Sequence, residues 1–421
     1  MTIEHIYKVF LECNSVSTDT RKIKSGCLFF ALKGDNFNGN TFASEAIKKG
    51  AIYVIIDEEQ YAKHEQCILV DNVLHTLQAL ATHHRKILKT PIVALTGSNG
   101  KTTTKELINA VLSTAYKTCA TKGNLNNHIG VPLTLLDFTN DTEIGIVEMG
   151  ANHQKEIEFL ANIALPDYGL ITNFGKAHLE GFGGVEGVIK GKSELYDHLK
   201  SHDKTIFINN NDVKQIEQVG DYENTVLFGS NMSLIGVQPF VTIKFNSTEI
   251  KTHLTGAYNY NNIAVAIAVG EHFKVDKNSI SKAIGNYIPA NNRSQIIEKA
   301  SNKIILDAYN ANPTSMMAAL ENFGNLNGFE KVAILGDMFE LGDVSEVEHQ
   351  FISEYSQKFD IDKIFLVGKH FFKTTTNATN VTCFQSFEDL KTELANRPLK
   401  NKFLLIKGSR GMALERVLDV L

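Results

Sequence analysis

Short apolar, β-branched runs recur at residues 92–95, 144–147, 169–172, 205–208 and 226–228, separated by longer stretches of helix-compatible patterning. This alternation predicts an α/β unit. Runs that are apolar on both faces suit a parallel sheet covered by helices, where ligands gather at the carboxyl ends of the strands. A second series at 303–306, 332–335, 364–367 and 403–406 follows a polar stretch ending near Asn291, Asn292 and Arg293, and predicts another such unit. Ahead of Pro91, runs at 28–32, 51–56 and 68–70 predict a smaller one, joined on by a helix over about 74–88. Three α/β domains are expected, over residues 1–82, 83–296 and 297–421.

The first run of the central series leads into TGSNGKTTT at 96–104, and a helix is expected from Lys101 through Leu112. Strand, glycine loop and helix in that order form a phosphate-binding loop. Gly97 and Gly100 relieve the turn, and the backbone N–H groups of Ser98, Asn99 and Thr103 join those of the helix start in cradling phosphate oxygens. Lys101 reaches the terminal phosphates and the Thr102 hydroxyl suits magnesium. Leu95 stands where the general G-x-x-x-x-G-K-[ST] pattern has glycine, so the loop is a tighter TGxxGKTT variant. A bare GKT triplet also fits a glycine turn with an exposed lysine; the flanking strand and helix argue against that.

Two further strand ends should share this sheet edge. Glu148, closing the 144–147 run, is a candidate magnesium ligand, and His178, in the stretch after 169–172, is a candidate for metal or phosphate. Taken singly, such a glutamate is more often solvated and such a histidine structural. Together they fit phosphoryl transfer with two metal ions, which neutralise charge on the moving phosphate.

Composition excludes several classes. The chain of 421 residues has 43% hydrophobic and 21% charged residues, and its net charge of −5 offers no general attraction for nucleic acid or anionic lipid. The N-terminal MTIEHIYKVF carries Glu4, His5 and Lys8, and the longest apolar run, 51–56, is far too short for a bilayer, so a cytoplasmic protein without membrane insertion is expected. Five scattered cysteines form no CxxC pair and suggest neither zinc nor disulfides.

Taken together the motifs resemble the ATP-dependent Mur ligases of bacterial cell-wall synthesis. The resemblance rests on TGSNGKTTT, GNLNNHIGVP (123–132), VEMG (147–150), TNFGKAHLEGFG (172–183), GAYNYNN (256–262), DAYNANPTS (307–315), LGDMFELG (335–342) and KGSRGM (407–412). It implies a small α/β N-terminal domain that binds a UDP-sugar through Ser17, Asp19, Arg21 and Lys33. It also implies a central P-loop parallel-sheet ATPase domain and a C-terminal Rossmann-like α/β domain that binds the amine and closes over ATP. Asn124, Asn126, Asn127 and His128 resemble the loop near the phosphosugar. Asn259 and Asn262 resemble adenine contacts, Arg293 and Asp307 contacts to ATP phosphate and ribose. Lys192 resembles the lysine that family members carry as a carbamate helping to hold the second magnesium, with Lys190 a rival for that position.

The DAYNANPTS segment resembles the branch of the family that adds D-alanyl-D-alanine to a UDP-N-acetylmuramoyl-tripeptide, and the DNPR-type motif of the diaminopimelate-adding branch is absent from the chain. Asn310, Asn312, Ser315, Lys407 and Arg410 are its candidates for binding the dipeptide or terminal phosphates, although NANP also fits a turn before a helix starting near Pro313. The implied product arises through an acyl phosphate in a monomeric enzyme that uses ATP and magnesium. An amide ligase acting on another carboxylate is the rival within the class. A guanine-nucleotide switch is disfavoured because the nearest N/T-K-x-D string, Thr121-Lys122-Gly123-Asn124, ends in asparagine.

Overall fold

The protein is described by a computed structural model covering residues 2–289, 292–328 and 330–421; Asn291, in the expected junction, lies outside them. The apolar runs become strands in three parallel or mainly parallel sheets. The N-terminal sheet orders Ser15–Ser17, Cys27–Phe30, Ala51–Ile56 and Cys67–Leu69, all parallel. The central sheet orders Thr225–Phe228, Thr205–Asn209, Tyr168–Ile171, Ile92–Thr96, Ile144–Glu148 and Thr118–Ala120, again all parallel. Its middle strand, Ile92–Thr96, is buried at every position, as a strand covered by helices on both faces must be.

Register brings the chemistry to one edge. Leu95 pairs with Glu148 and Thr96 with Ile171, so the phosphate loop, the Glu148 carboxylate and the segment after Ile171 leave the sheet side by side. The C-terminal sheet orders Gln295–Lys299, Asn302–Asp307, Phe403–Lys407, Lys331–Gly336, Lys363–Val367 and Val381–Phe384, with Gln295–Lys299 alone antiparallel. Asp307 pairs with Lys407 at its carboxyl edge, which faces the central domain. The expected boundaries at 82/83 and 296/297 fall inside the helix Val73–Leu88 and the strand Gln295–Lys299.

An antiparallel meander, Met232–Gly236, Thr242–Phe245 and Thr248–Lys251, was not expected from continuous apolar runs. It covers the central core with one face only, so Met232, Ile243, Phe245 and Ile250 are buried while the residues between them are mostly exposed. The same filter passed over the short edge strands Thr118–Ala120 and Val381–Phe384, none of whose residues except Phe384 is fully buried.

The helix Val73–Leu88 joins the first two domains. Asn72 caps it by accepting the His75 N–H at 2.8 Å, and its apolar face enters a core shared with both domains. From its last turn the buried Arg85 donates to the carbonyls of Ala164 (3.2 Å) and Leu165 (3.1 Å) and to Asp167 Oδ2 (2.7 Å). The guanidinium thus satisfies the carbonyl end of the helix Glu156–Ala164, where a cation is favoured. No helix among the described residues is long and apolar enough to cross a membrane.

Replacing Arg85 should therefore loosen this joint. Arg85→Ala is expected to cost about 2 kcal/mol, below the ~3–5 kcal/mol of breaking a fully buried pair, because Lys204 still reaches Asp167 at 2.8 Å. Urea denaturation followed by far-UV circular dichroism checks this; an unchanged midpoint would show that the joint rests on apolar packing alone.

Candidate active site

The turn after Thr96 demands glycine. Gly97 has φ +142°, and a Cβ there would lie 2.0 Å from Thr172 Oγ1; Gly100 has φ +80°, and its Cβ would meet Asn262 Oδ1 at 2.7 Å. The loop is held largely from outside. Ser98 donates its N–H to Asn173 O (3.0 Å) and its hydroxyl to Gly175 O (2.8 Å). The Asn99 carbonyl accepts from Thr172 Oγ1 (2.6 Å) and Asn173 Nδ2 (2.9 Å), while Asn99 Oδ1 accepts from Asn312 Nδ2 of the C-terminal domain (2.7 Å). Behind it the helix Lys101–Leu112 presents its first N–H groups to the cavity, the arrangement that binds phosphate. Lys101 Nζ rests on Gly97 O at 2.7 Å, and burial lowers its pKa, with Glu148 opposing that shift and Arg293 adding to it.

Glu148 is 1% exposed. Its Oε1 accepts from Asn126 Nδ2 (2.8 Å) and Thr102 Oγ1 (3.3 Å), whereas its Oε2 is buried with no hydrogen-bond partner. A buried carboxylate oxygen without a partner is costly unless a cation completes it. Oxygen donors from Thr102 and Glu148 suit a hard divalent ion such as magnesium. Among the described residues no group of three or more His, Cys, Asp or Glu side chains is placed to hold a metal ion.

Lys192 is fully buried in the helix Val185–Ser201. Its Nζ donates to Ala151 O at 3.1 Å and lies 4.8 Å from the centre of the Phe182 ring. Burial and then the nearby Lys101 push its pKa well below the ordinary value, while Glu156 and Glu194 act the other way. A neutral amine is the form that adds CO2. Rival Lys190 is exposed on the same helix. His178, in a left-handed conformation at φ +53°, meets Glu340 of the C-terminal domain through Nδ1.

The C-terminal edge completes the wall. Arg293 stacks on the Tyr309 ring at 3.8 Å, with Arg410 at 5.9 Å on the same ring and paired to Glu415. Asp307 accepts from Lys407 Nζ (2.6 Å) and from the Ser294 N–H (3.2 Å), and Lys407 also donates to Asn310 O (3.1 Å). Asn262 Nδ2 donates to Asn259 Oδ1 (2.8 Å), and its own Oδ1 accepts from Thr104 (3.1 Å), fixing both asparagines beneath Gly100. Asn312 and Ser315 form a capping box for the helix Pro313–Asn325.

One cavity of about 980 Å³ gathers these parts. Its wall includes the loop 98–103, Glu148, His178, Asn124, Asn126, Asn127, His128, Asn259, Asn262, Arg293, Asp307, Asn310, Ser315, Lys407 and Arg410. Lys192 sits just behind it, bonded to the lining residue Ala151. Ser17, Asp19, Arg21 and Lys33 are elsewhere, on the N-terminal domain. Asp19 caps a turn and binds Arg21 through two hydrogen bonds of 2.9 Å, and Lys33 pairs with Asp57 at 3.0 Å. Asn173, Tyr309 and Glu340 line the cavity without having been singled out. Each lay inside a segment already marked by its motif, and only the folded geometry separates it from its neighbours.

The fold and site define a class: a three-domain P-loop enzyme whose phosphate site is completed by its C-terminal domain. Residues 95–270 match the Mur ligase middle domain, 292–410 the Mur ligase, glutamate ligase domain, and 12–85 the Mur ligase family, catalytic domain. The chain belongs to the Mur ligase family. It is 35% identical to the UDP-N-acetylmuramoyl-tripeptide--D-alanyl-D-alanine ligase of Bacillus subtilis, covering 96% of this chain and 92% of that protein. Its identity to the Escherichia coli enzyme of the same name is 34%, over 97% and 93%. Among solved structures, MurF from Acinetobacter baumannii superposes with a TM-score of 0.88 at 29% identity, covering 99% of this chain and 98% of that one. MurF ligase from Thermotoga maritima in complex with ADP gives 0.84 at 27%, over 98% and 97%.

The loop geometry generates a direct test. Gly97→Ala should weaken ADP binding at least about tenfold, since a 1.4 kcal/mol penalty already has that effect and the clash with Thr172 displaces the loop. Isothermal titration with ADP measures it, with the thermal midpoint as a control for folding; wild-type affinity would show that the loop tolerates a Cβ.

Proposed function

We propose that the protein joins D-alanyl-D-alanine to the terminal carboxylate of UDP-N-acetylmuramoyl-tripeptide, converting ATP to ADP and phosphate, as a step in peptidoglycan precursor synthesis. The observation that carries this reading is the single cavity in which the phosphate loop, the buried Glu148 and the DAYNANPTS segment meet. Relatives that carry this activity in their names match nearly the whole chain.

A carboxylate is a poor electrophile, so it must first take the ATP γ-phosphate as an acyl phosphate, releasing ADP; the dipeptide amine then attacks that carbonyl and phosphate leaves. Lys101 and the N–H groups opening its helix stabilise charge on the transferring phosphate. Asn259 and Asn262 border the adenine, Arg293 binds phosphate and Asp307 the ribose. Ser17, Asp19, Arg21 and Lys33 serve the uridine diphosphate, and Asn124, Asn126, Asn127 and His128 the phosphosugar. Asn310, Lys407 and Arg410 face the dipeptide or terminal phosphates, with Asn312 and Ser315 shaping that wall through the helix cap. Thr102, Glu148, His178 and a carbamate on Lys192 are the residues that would hold two magnesium ions, which supply neutralisation of phosphate charge. The burial of Lys192, which lowers its pKa and so favours the neutral amine, supports the carbamate, and the CO2 adduct would turn it into an anionic oxygen donor. The seam between the central and C-terminal domains excludes water from the acyl phosphate. A cytoplasmic, monomeric enzyme of three domains is part of the same reading.

With ATP, magnesium and UDP-muramoyl-tripeptide present, phosphate release should require D-alanyl-D-alanine; release driven by a single amino acid would assign a different ligase. In 13C-labelled bicarbonate, NMR should show one carbamate carbon that vanishes in Lys192→Ala and persists in Lys190→Ala. The opposite pattern would move the modification to Lys190.

A further inference from the structure

Two residues of the central and C-terminal domains meet in unusual backbone conformations. His178 (φ +53°) and Glu340 (φ +62°) are both left-handed, a conformation rare outside glycine, and Glu340 Oε2 touches His178 Nδ1. Nδ1 is buried and forms no hydrogen bond among the described residues, but the Glu340 carboxylate lies in ion-pair contact with it. The approach is fixed on both sides. Glu180 N–H donates to Glu340 O (3.3 Å), Lys176 pairs with Glu348 (2.5 Å), and the Lys176 N–H donates to Thr314 Oγ1 (2.9 Å). On the C-terminal side, Phe339 N–H donates to Ser409 Oγ (2.9 Å) and Met338 N–H to the buried His349 Nε2 (3.0 Å).

A histidine whose Nδ1–H is directed at a carboxylate keeps its Nε2 lone pair for a cation. We infer that Glu340 is a positioning residue: from the C-terminal domain it holds His178 in the Nδ1–H tautomer, leaving Nε2 to the divalent ion. This rests on the proposed role of His178 as a metal ligand. It makes one ligand of the central domain competent only when the C-terminal domain is docked, so metal affinity reports domain closure.

The test titrates Mn2+ into the protein with ADP bound, by electron paramagnetic resonance, for wild type, Glu340→Ala and Glu340→Gln. Glu340→Ala should weaken Mn2+ about 10–100-fold, the usual effect of removing a partner that orients a ligand. Glu340→Gln should recover much of this, because its amide oxygen still accepts Nδ1–H. In Glu340→Ala the fall in Mn2+ affinity should exceed any fall in ADP affinity measured without metal, since Glu340 lines the same cavity. An equal fall in metal-free ADP affinity would show a contact that only docks the domains. Unchanged or tighter Mn2+ binding in Glu340→Ala would overturn the inference, the latter by showing that Glu340 competes with the ion for His178. If wild type bound no Mn2+ at all, the metal-site reading would fall and this inference with it, whereas substrate-dependent phosphate release would still decide the ligase reading separately.

Discussion

The structure depends on how the tip of the phosphate loop is held. Asn99 is gripped by three residues: Thr172 and Asn173 from the neighbouring strand end, and Asn312 from the C-terminal domain. The loop's glycines give it freedom to approach phosphate closely, and freedom of that kind needs external constraint to become a defined site. Because Asn312 also caps the helix Pro313–Asn325, the shape of the nucleotide site is tied to the segment proposed to receive the amine. The phosphate loop and that segment are thus joined through one asparagine pair.

Around this grip the charges are arranged for a substrate with many negative oxygens. Lys101, Arg293, Lys407 and Arg410 line the cavity, and the Glu148 oxygen without a partner is the observation behind the proposed cation there. Lys192, fully buried and close enough to feel Lys101, is pushed toward losing its proton more easily than a surface lysine, with Glu156 and Glu194 opposing. That environment makes an anionic adduct chemically sensible where an ammonium would be out of place. The ion pairs of the N-terminal domain, exposed Arg21 with Asp19 and Lys33 with the buried Asp57, are of another kind: each is satisfied within its own domain.

Much of this was legible in the chain before it was folded. Continuous apolar runs mark strands buried on both faces, and strand-loop-helix order around TGSNGKTTT marks the phosphate site. Glu148 and the segment containing His178 follow from register, since every parallel strand ends at the same edge. What periodicity missed was structure with one wet face, as in the meander from Met232 to Lys251, where only a few side chains are buried. Contacts between domains were equally invisible. The LGDMFELG motif marks the segment but not Glu340 within it as the residue that meets His178, and Asn312 looks like a helix cap, which it also is.

The central claim is that the loop's phosphate passes to a substrate carboxylate before the amide forms. With 18O in the terminal carboxylate of the UDP-muramoyl-tripeptide, one labelled oxygen should leave in the inorganic phosphate for each amide made, as read by 31P NMR. Unlabelled phosphate from the same turnover would mean that ATP hydrolysis and ligation are separate events, contradicting the account.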